Sequence, residues 1–251
     1  MKHKFLFILL FSLVLEGMVT TQAVAGDYVH QVNTLIGTKG TGLTSGYLYP
    51  GATYPYGMVQ FTPSYFSKRS GFVINQLSGG CEHMGNFPTF PVKGKLKMSP
   101  DNILNYRINV SEEKGHAGYY EAMVQEDIKA KLTVTERTGM ASYEYPADQQ
   151  YGTIIIGGGI SATPIEQAAI VITAPNKCEG YAEGGNFCGL RTPYKVYFVA
   201  EFDTDAFETG TWKREELMPN TTFAEGEYSG VYFTFDVNKK KNIQYKIGVS
   251  Y

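Results

Sequence analysis

The sequence predicts an all-β protein in which two antiparallel sheets stack as a sandwich, and three observations carry that prediction. Four stretches alternate apolar and polar residues with period two, the mark of a strand buried on one face. No window of eleven or more residues shows a helical period. The composition, with 19 Tyr, 15 Phe and 28 Gly among 251 residues, favours strands and tight turns over helices.

In chain order, Met58–Phe61, Gly71–Gln76, Val92–Met98 and Tyr119–Gln125 are short apolar runs bounded by Gly, Pro or Asn, and each predicts a strand. Ile128–Thr135 is the first clean alternation, with Ile128, Ala130, Leu132 and Val134 against Lys129, Lys131, Thr133 and Thr135. Met140–Tyr145, Thr153–Ile156 and Ala168–Thr173 follow as weaker strands. Tyr194–Phe202, Val231–Val237 and Ile243–Ser250 are the other three clean cases. The best helical candidate, Pro164–Ala169, is one or two turns long. About eleven strands of this kind bury their apolar faces most simply by stacking two sheets. No linker, repeat or low-complexity tract interrupts the chain after residue 26, so one domain over residues 26–251 is expected.

Residues 1–25 have another character. The basic opening MKHK, the apolar run Phe5–Leu15 and the closing Ala23-Val24-Ala25 predict a secretory signal peptide cleaved after Ala25. Eleven apolar residues are too few for the ~20 that span a bilayer, and no later stretch approaches that length, so no membrane span is predicted. The expected location is outside the cytoplasm, secreted or periplasmic.

Charge excludes one class of partner. Lys and Arg number 22 against 24 Asp and Glu, so there is no basic surplus to neutralise phosphates, and nucleic acid is not an expected partner. Cys81, Cys178 and Cys188 allow at most one disulfide, Cys178 with Cys188 across a glycine-rich loop, with buried free thiols as the alternative. Four scattered histidines and no CxxC pair give no zinc spacing. Gly157-Gly158-Gly159 follows an apolar strand but lacks the third glycine and helix of a dinucleotide loop, so it reads as a bulge or turn. The acid pairs Glu112-Glu113, Asp203 with Asp205, and Glu215-Glu216 read as solvated charge, and no catalytic residue is assigned.

Ser78–Pro91, SGGCEHMGNFPTFP, is the segment with the chemistry of a binding site. It gathers Cys81, Glu82, His83 and Asn86 in a loop bounded by Gly and Pro, with Phe87 and Phe90 as flat apolar faces. Glu82, His83 and Asn86 have the donors and acceptors that vicinal hydroxyls need. The expected substrate-binding residues are therefore Cys81, Glu82, His83, Asn86 and Phe87; a loop satisfied by its own hydrogen bonds is the alternative.

VNTLIGT at residues 32–38 and PGATYPYGMVQFTP at residues 50–63 resemble two signature segments of glycoside hydrolase family 92, a group of secreted bacterial α-mannosidases. They are followed in order by GHAGYYEAMVQEDIKAKLTVTERTGMASYEYP at 115–146, GGNFCG at 184–189 and YKVYFVAEF at 194–202. The resemblance implies an N-terminal β-sandwich of the supersandwich, galactose mutarotase-like type. It also implies a helical domain holding the general acid, the general base and a calcium ion, parts without a counterpart in these residues. No metal ligand is expected here, and calcium belongs to the complete enzyme. Ser78–Pro91 falls where the family's sandwich loops meet the helical domain at the sugar pocket, so the expected partners are an α-mannoside or related glycan and that helical domain. Where many members carry Gly-Tyr-x-Tyr and then a Ser-His-Thr-His-like stretch, this chain reads SGFVINQLSGGCEHMGNFPTFP, which resembles a divergent branch. Three arrangements follow: a truncated or split α-mannosidase inactive alone, a free-standing carbohydrate-binding module, or a subunit pairing with a separately encoded helical domain.

Overall fold

The computed structural model describes residues 28–38, 48–64, 71–75, 77–78, 83–101, 110–159, 164–187 and 189–251. The predicted signal peptide lies outside these residues. The chain divides into an N-terminal unit ending at Gln31, of which the 3-10 turn Tyr28–Gln31 is described, and a second unit, Val32–Tyr251. The second unit is built from two large antiparallel sheets, so the predicted all-β sandwich is the observed architecture.

Among the described residues, sheet A has eight strands, in the order Ala52–Thr53, Gln60–Pro63, Phe72–Val73, Thr89–Lys93, Tyr151–Gly157, Ser229–Asp236, Glu208–Lys213 and Glu216–Pro219. Sheet B has nine, in the order Phe223–Glu225, Ile165–Ala174, Lys177–Phe187, Leu190–Phe202, Asn242–Ser250, Thr138–Glu144, Ile128–Val134, Tyr119–Val124 and Val110–His116. A third, two-stranded ladder joins Leu77–Ser78 to His83–Met84.

Alternation places the apolar residues between the sheets. In Ile128–Val134 the odd positions of the pattern, Ile128, Ala130 and Leu132, are buried and the intervening lysines are not. Rings from both sheets meet in the middle: Phe202 of sheet B lies 4.7 Å from Phe233 of sheet A, and Phe72 of sheet A stacks on Tyr143 of sheet B at 6.1 Å. Hydroxyls bridge the same gap. Tyr245 donates to Thr89 Oγ1 at 2.6 Å, the Tyr143 hydroxyl lies 3.2 Å from the same oxygen, and Tyr145 donates to the Thr153 carbonyl at 3.0 Å. Gly152 exists for this contact, because a Cβ there would stand 2.5 Å from the Tyr145 ring.

These buried phenols predict alkaline unfolding. Burial holds Tyr143 up at about 12 and pushes Tyr145 and Tyr245 well above the usual phenol value. Unfolded tyrosines ionise near 10, so the folded state keeps protons that the unfolded state releases. The stability these groups contribute is complete below about pH 10 and is lost as pH rises from there towards the folded values. The melting temperature should hold through pH 9 and fall steeply between about pH 10 and 12; a level profile to pH 12 would refute the assignment.

Two expectations are corrected, and of the two cysteine alternatives Cys178 takes the free thiol. The strand predicted at Val92–Met98 lies earlier, at Thr89–Lys93, because the chain turns at Gly94 (φ +75°) and Gly94–Asp101 then crosses the outer face of sheet A. There Lys95 pairs with Glu208 at 3.0 Å and Ser99 donates to the Arg214 carbonyl. Pro164–Ala169 is no helix; it opens the strand Ile165–Ala174, whose alternate residues Ile165, Ala168, Ile170 and Ile172 are buried. Cys178 is a free, fully buried thiol at the start of the strand Lys177–Phe187, and burial pushes it above its ordinary range. Cys188 lies outside the described residues. The glycine triplet closes the strand Tyr151–Gly157 and bends away, as a turn.

Candidate functional site

The loop Ser78–Pro91 begins with a minimal hairpin: Leu77 pairs with Met84 and Ser78 with His83. The segment read as a loop thus takes part in a short ladder, and its last three residues, Thr89–Pro91, open the strand Thr89–Lys93. Cys81 and Glu82 lie outside the described residues, and His83 is described by its backbone.

Asn86 and Phe87 are both fully buried. The Asn86 backbone N–H donates to Asn75 Oδ1 at 2.7 Å, and its side-chain carbonyl accepts from Asn75 Nδ2 at 3.0 Å and from the Tyr194 hydroxyl at 3.2 Å. Asn75 Nδ2 also donates to the Tyr251 hydroxyl at 3.2 Å. Phe87 takes a left-handed φ of +51°, uncommon outside glycine. Its ring rests 4.2 Å from Phe198. These two side chains anchor the hairpin to the domain.

Sequence reasoning missed Asn75, Tyr194 and Tyr251. They reach the Asn86 cluster from positions 11 to 176 residues apart, and no local pattern announces such a meeting.

A cavity of about 500 Å³ lies next to this anchor. Its walls come from three segments whose sequence patterns carry the family resemblance: Asn33 and Thr34 from the first, Tyr49, Gly51, Thr53 and Gln60 in and beside the second, His116 from the third. Gln60 bridges Asn75 through the backbone, which joins the cavity wall to the hairpin anchor. Gly115 permits the convergence, since a Cβ there would press within 2.5 Å of Thr34 Oγ1. That Thr34 hydroxyl is buried without a hydrogen-bond partner, an uncommon state that a ligand hydroxyl would relieve.

The electrostatics behind the wall are fixed. His116 stacks on Tyr119 at 5.0 Å. Burial, then the Glu121 carboxylate at 2.7 Å, push the Tyr119 phenol up to about 12, so it stays neutral. The same hydrogen bond, aided by Lys129 and Lys114, holds the Glu121 carboxyl below its ordinary value. The described lining offers amide, hydroxyl and imidazole groups and no carboxylate. Such a set can donate to and accept from hydroxyl groups.

The fold is that of a large two-sheet antiparallel β-sandwich domain, with the cavity beside the hairpin. The chain belongs to glycosyl hydrolase family 92: the family's N-terminal domain matches residues 31–250. Among solved structures it is similar to a family GH92 α-mannosidase from Bacteroides thetaiotaomicron, with TM-score 0.74 and 24% identity over 88% of this chain and 33% of that one. It is also similar to a family GH92 inverting mannosidase of the same organism, with TM-score 0.73 and 23% identity over 89% of this chain and 31% of that one. An uncharacterized secreted glycosidase of Arthroderma benhamiae is 28% identical over 159 residues, 54% of this chain and 20% of that protein. The 251 residues therefore span about a third of the solved relatives and a fifth of the curated one.

Proposed function

We propose that these residues form the sugar-binding wall of an exported, inverting exo-α-mannosidase, and that by themselves they hold a mannoside without cleaving it. The observation that carries this reading is the convergence of three family-like segments on one cavity with a buried, unpaired Thr34 hydroxyl and no carboxylate in its described wall. The relatives described as mannosidases support mannose as the sugar. The partner is a helical domain carrying the acid and the base.

Calcium does not fit the described residues. No three of their His, Cys, Asp or Glu side chains come together, and the cavity lacks the carboxylates that a hard cation favours. In this reading the ion belongs to the helical domain, and no step is assigned to it here. Residues 1–25 serve as the export signal, cleaved after Ala25, in keeping with a relative described as secreted. Among the described residues no helix is long and apolar enough to cross a membrane.

The test is sugar binding by variants of Glu82 and His83. Removing a hydrogen-bonding partner costs roughly 1–3 kcal/mol, or about 5- to 150-fold in affinity. Glu82→Ala and His83→Ala should each weaken methyl α-mannoside binding by that factor while leaving the melting temperature in place. Wild-type affinity in both variants would take the hairpin out of the site.

A further inference from the structure

The two outer faces of the sandwich differ. On sheet A the outward residues Phe90, Ile155, Trp212 and Tyr232 are buried, and Gly94–Asp101 crosses that face. On sheet B the outward residues Tyr197 and Val199 are 48% and 42% exposed. Val199 lines two shallow troughs, one of about 380 Å³ reaching Phe223 and one of about 530 Å³ reaching Met140. The troughs form one groove across six adjacent strands, roughly 24 Å at ~4.8 Å per strand.

The groove has a platform and polar ends. Tyr181 and Tyr197 are cross-strand neighbours with ring centres 6.1 Å apart. Lys195, paired with Glu183 at 2.5 Å, holds its ammonium 4.0 Å from the Tyr181 ring and pins that ring in place. At Gly248 the floor is open, the atom nearest to an added Cβ being Thr138 Oγ1 at 3.8 Å. Beyond it Glu201 and Lys246 face each other across strands yet make no ion pair. Their free heads are a carboxylate and an ammonium side by side. Mixed charges of this kind match neither a polyanion nor a polycation; they match a neutral chain whose hydroxyls both donate and accept.

We infer that the outer groove of sheet B is a second glycan-binding surface, taking a short α-linked mannose chain along Tyr197, Val199 and Gly248. The choice of mannose rests on the proposed function; the groove is independent of the hairpin and cavity. Such a surface would hold a polymeric substrate while its terminal sugar occupies the other site.

The test is titration of the purified chain with an α-linked mannotetraose, read by backbone amide shifts and by calorimetry. Saturable shifts should appear at Tyr197, Val199, Lys246 and Gly248. Tyr197→Ala should weaken this binding about 2- to 10-fold through lost stacking. Glu201→Ala should weaken it about 10-fold or more through a lost charged hydrogen bond. His83→Ala should leave the sheet shifts unchanged, so failure of the hairpin reading and failure of this one give different results. Absence of these shifts at millimolar tetraose, wild-type affinity in both sheet variants, or a concentration-dependent dimer dispersed by Tyr197→Ala would each overturn the inference, the last by showing the face to be a contact between copies.

Discussion

Phe202→Ala is expected to cost about 3–5 kcal/mol of folding free energy, the range for removing a fully packed aromatic ring. Phe202 is the ring on which the two sheets close: Phe233 lies 4.7 Å away, Phe235 5.1 Å and Tyr245 5.2 Å. All four are buried. The space left by the ring does not collapse easily, because hydroxyl bridges such as Tyr245 to Thr89 hold the sheets at their spacing. The cost therefore includes the cavity as well as the lost transfer energy. Against a total stability of about 5–15 kcal/mol, this leaves a marginal protein. In urea unfolding the midpoint should drop while the slope is unchanged. A loss under about 1 kcal/mol would mean that Phe202 is not central to the core.

Legibility in the sequence followed burial. Ile128–Val134, Leu190–Phe202 and Asn242–Ser250 each bury one face, and their alternation is plain in the residues. Val110–His116 is an edge strand made mostly of polar residues, with a register shift between Ser111 and Lys114, so it has no apolar period to detect. Lys177–Phe187 carries glycines where a strand normally shows side chains. Gly180 is required because the Ala169 carbonyl and the Phe198 ring crowd the position, and that reason exists only in three dimensions. The same glycines made a loop closed by Cys178 and Cys188 look reasonable. Ser229–Asp236 is buried along almost its whole length, so period two alone understates how covered it is.

The binding site divides in a similar way. Residue types marked Ser78–Pro91, and the structure shows Asn86 and Phe87 of that segment serving as its anchors. The cavity was invisible as a cavity, since it needs Thr34, Gln60 and His116 brought together across more than eighty residues. Its trace in the sequence was three irregular segments rich in Gly, Pro, Thr and Tyr.

The second large effect concerns catalysis. The purified chain, residues 26–251, is expected to release no mannose from α-mannosides, with or without added calcium. Inverting hydrolysis needs a carboxylic acid to protonate the leaving oxygen and a carboxylate to activate water, about 6.5–9.5 Å apart across the bond. The acid must also be held protonated near neutral pH. Among the described residues Asp101 has a carboxyl raised by burial, but it sits where Gly94–Asp101 crosses sheet A, beside Arg214, and does not line the cavity. Glu121 is displaced the other way by Tyr119 and by lysines, and so remains ionised at neutral pH. General acid and general base catalysis contribute about 10²–10⁴-fold each. In the proposed division of labour both belong to the helical domain, so the chain alone should fall about 10⁴–10⁸-fold below a complete enzyme. Adding the helical domain of a relative in trans and measuring free mannose tests the partnership: turnover that needs both halves fits the proposed division of labour. Turnover by residues 26–251 alone, abolished by Glu82→Gln, would show that this segment itself carries the catalytic carboxyl.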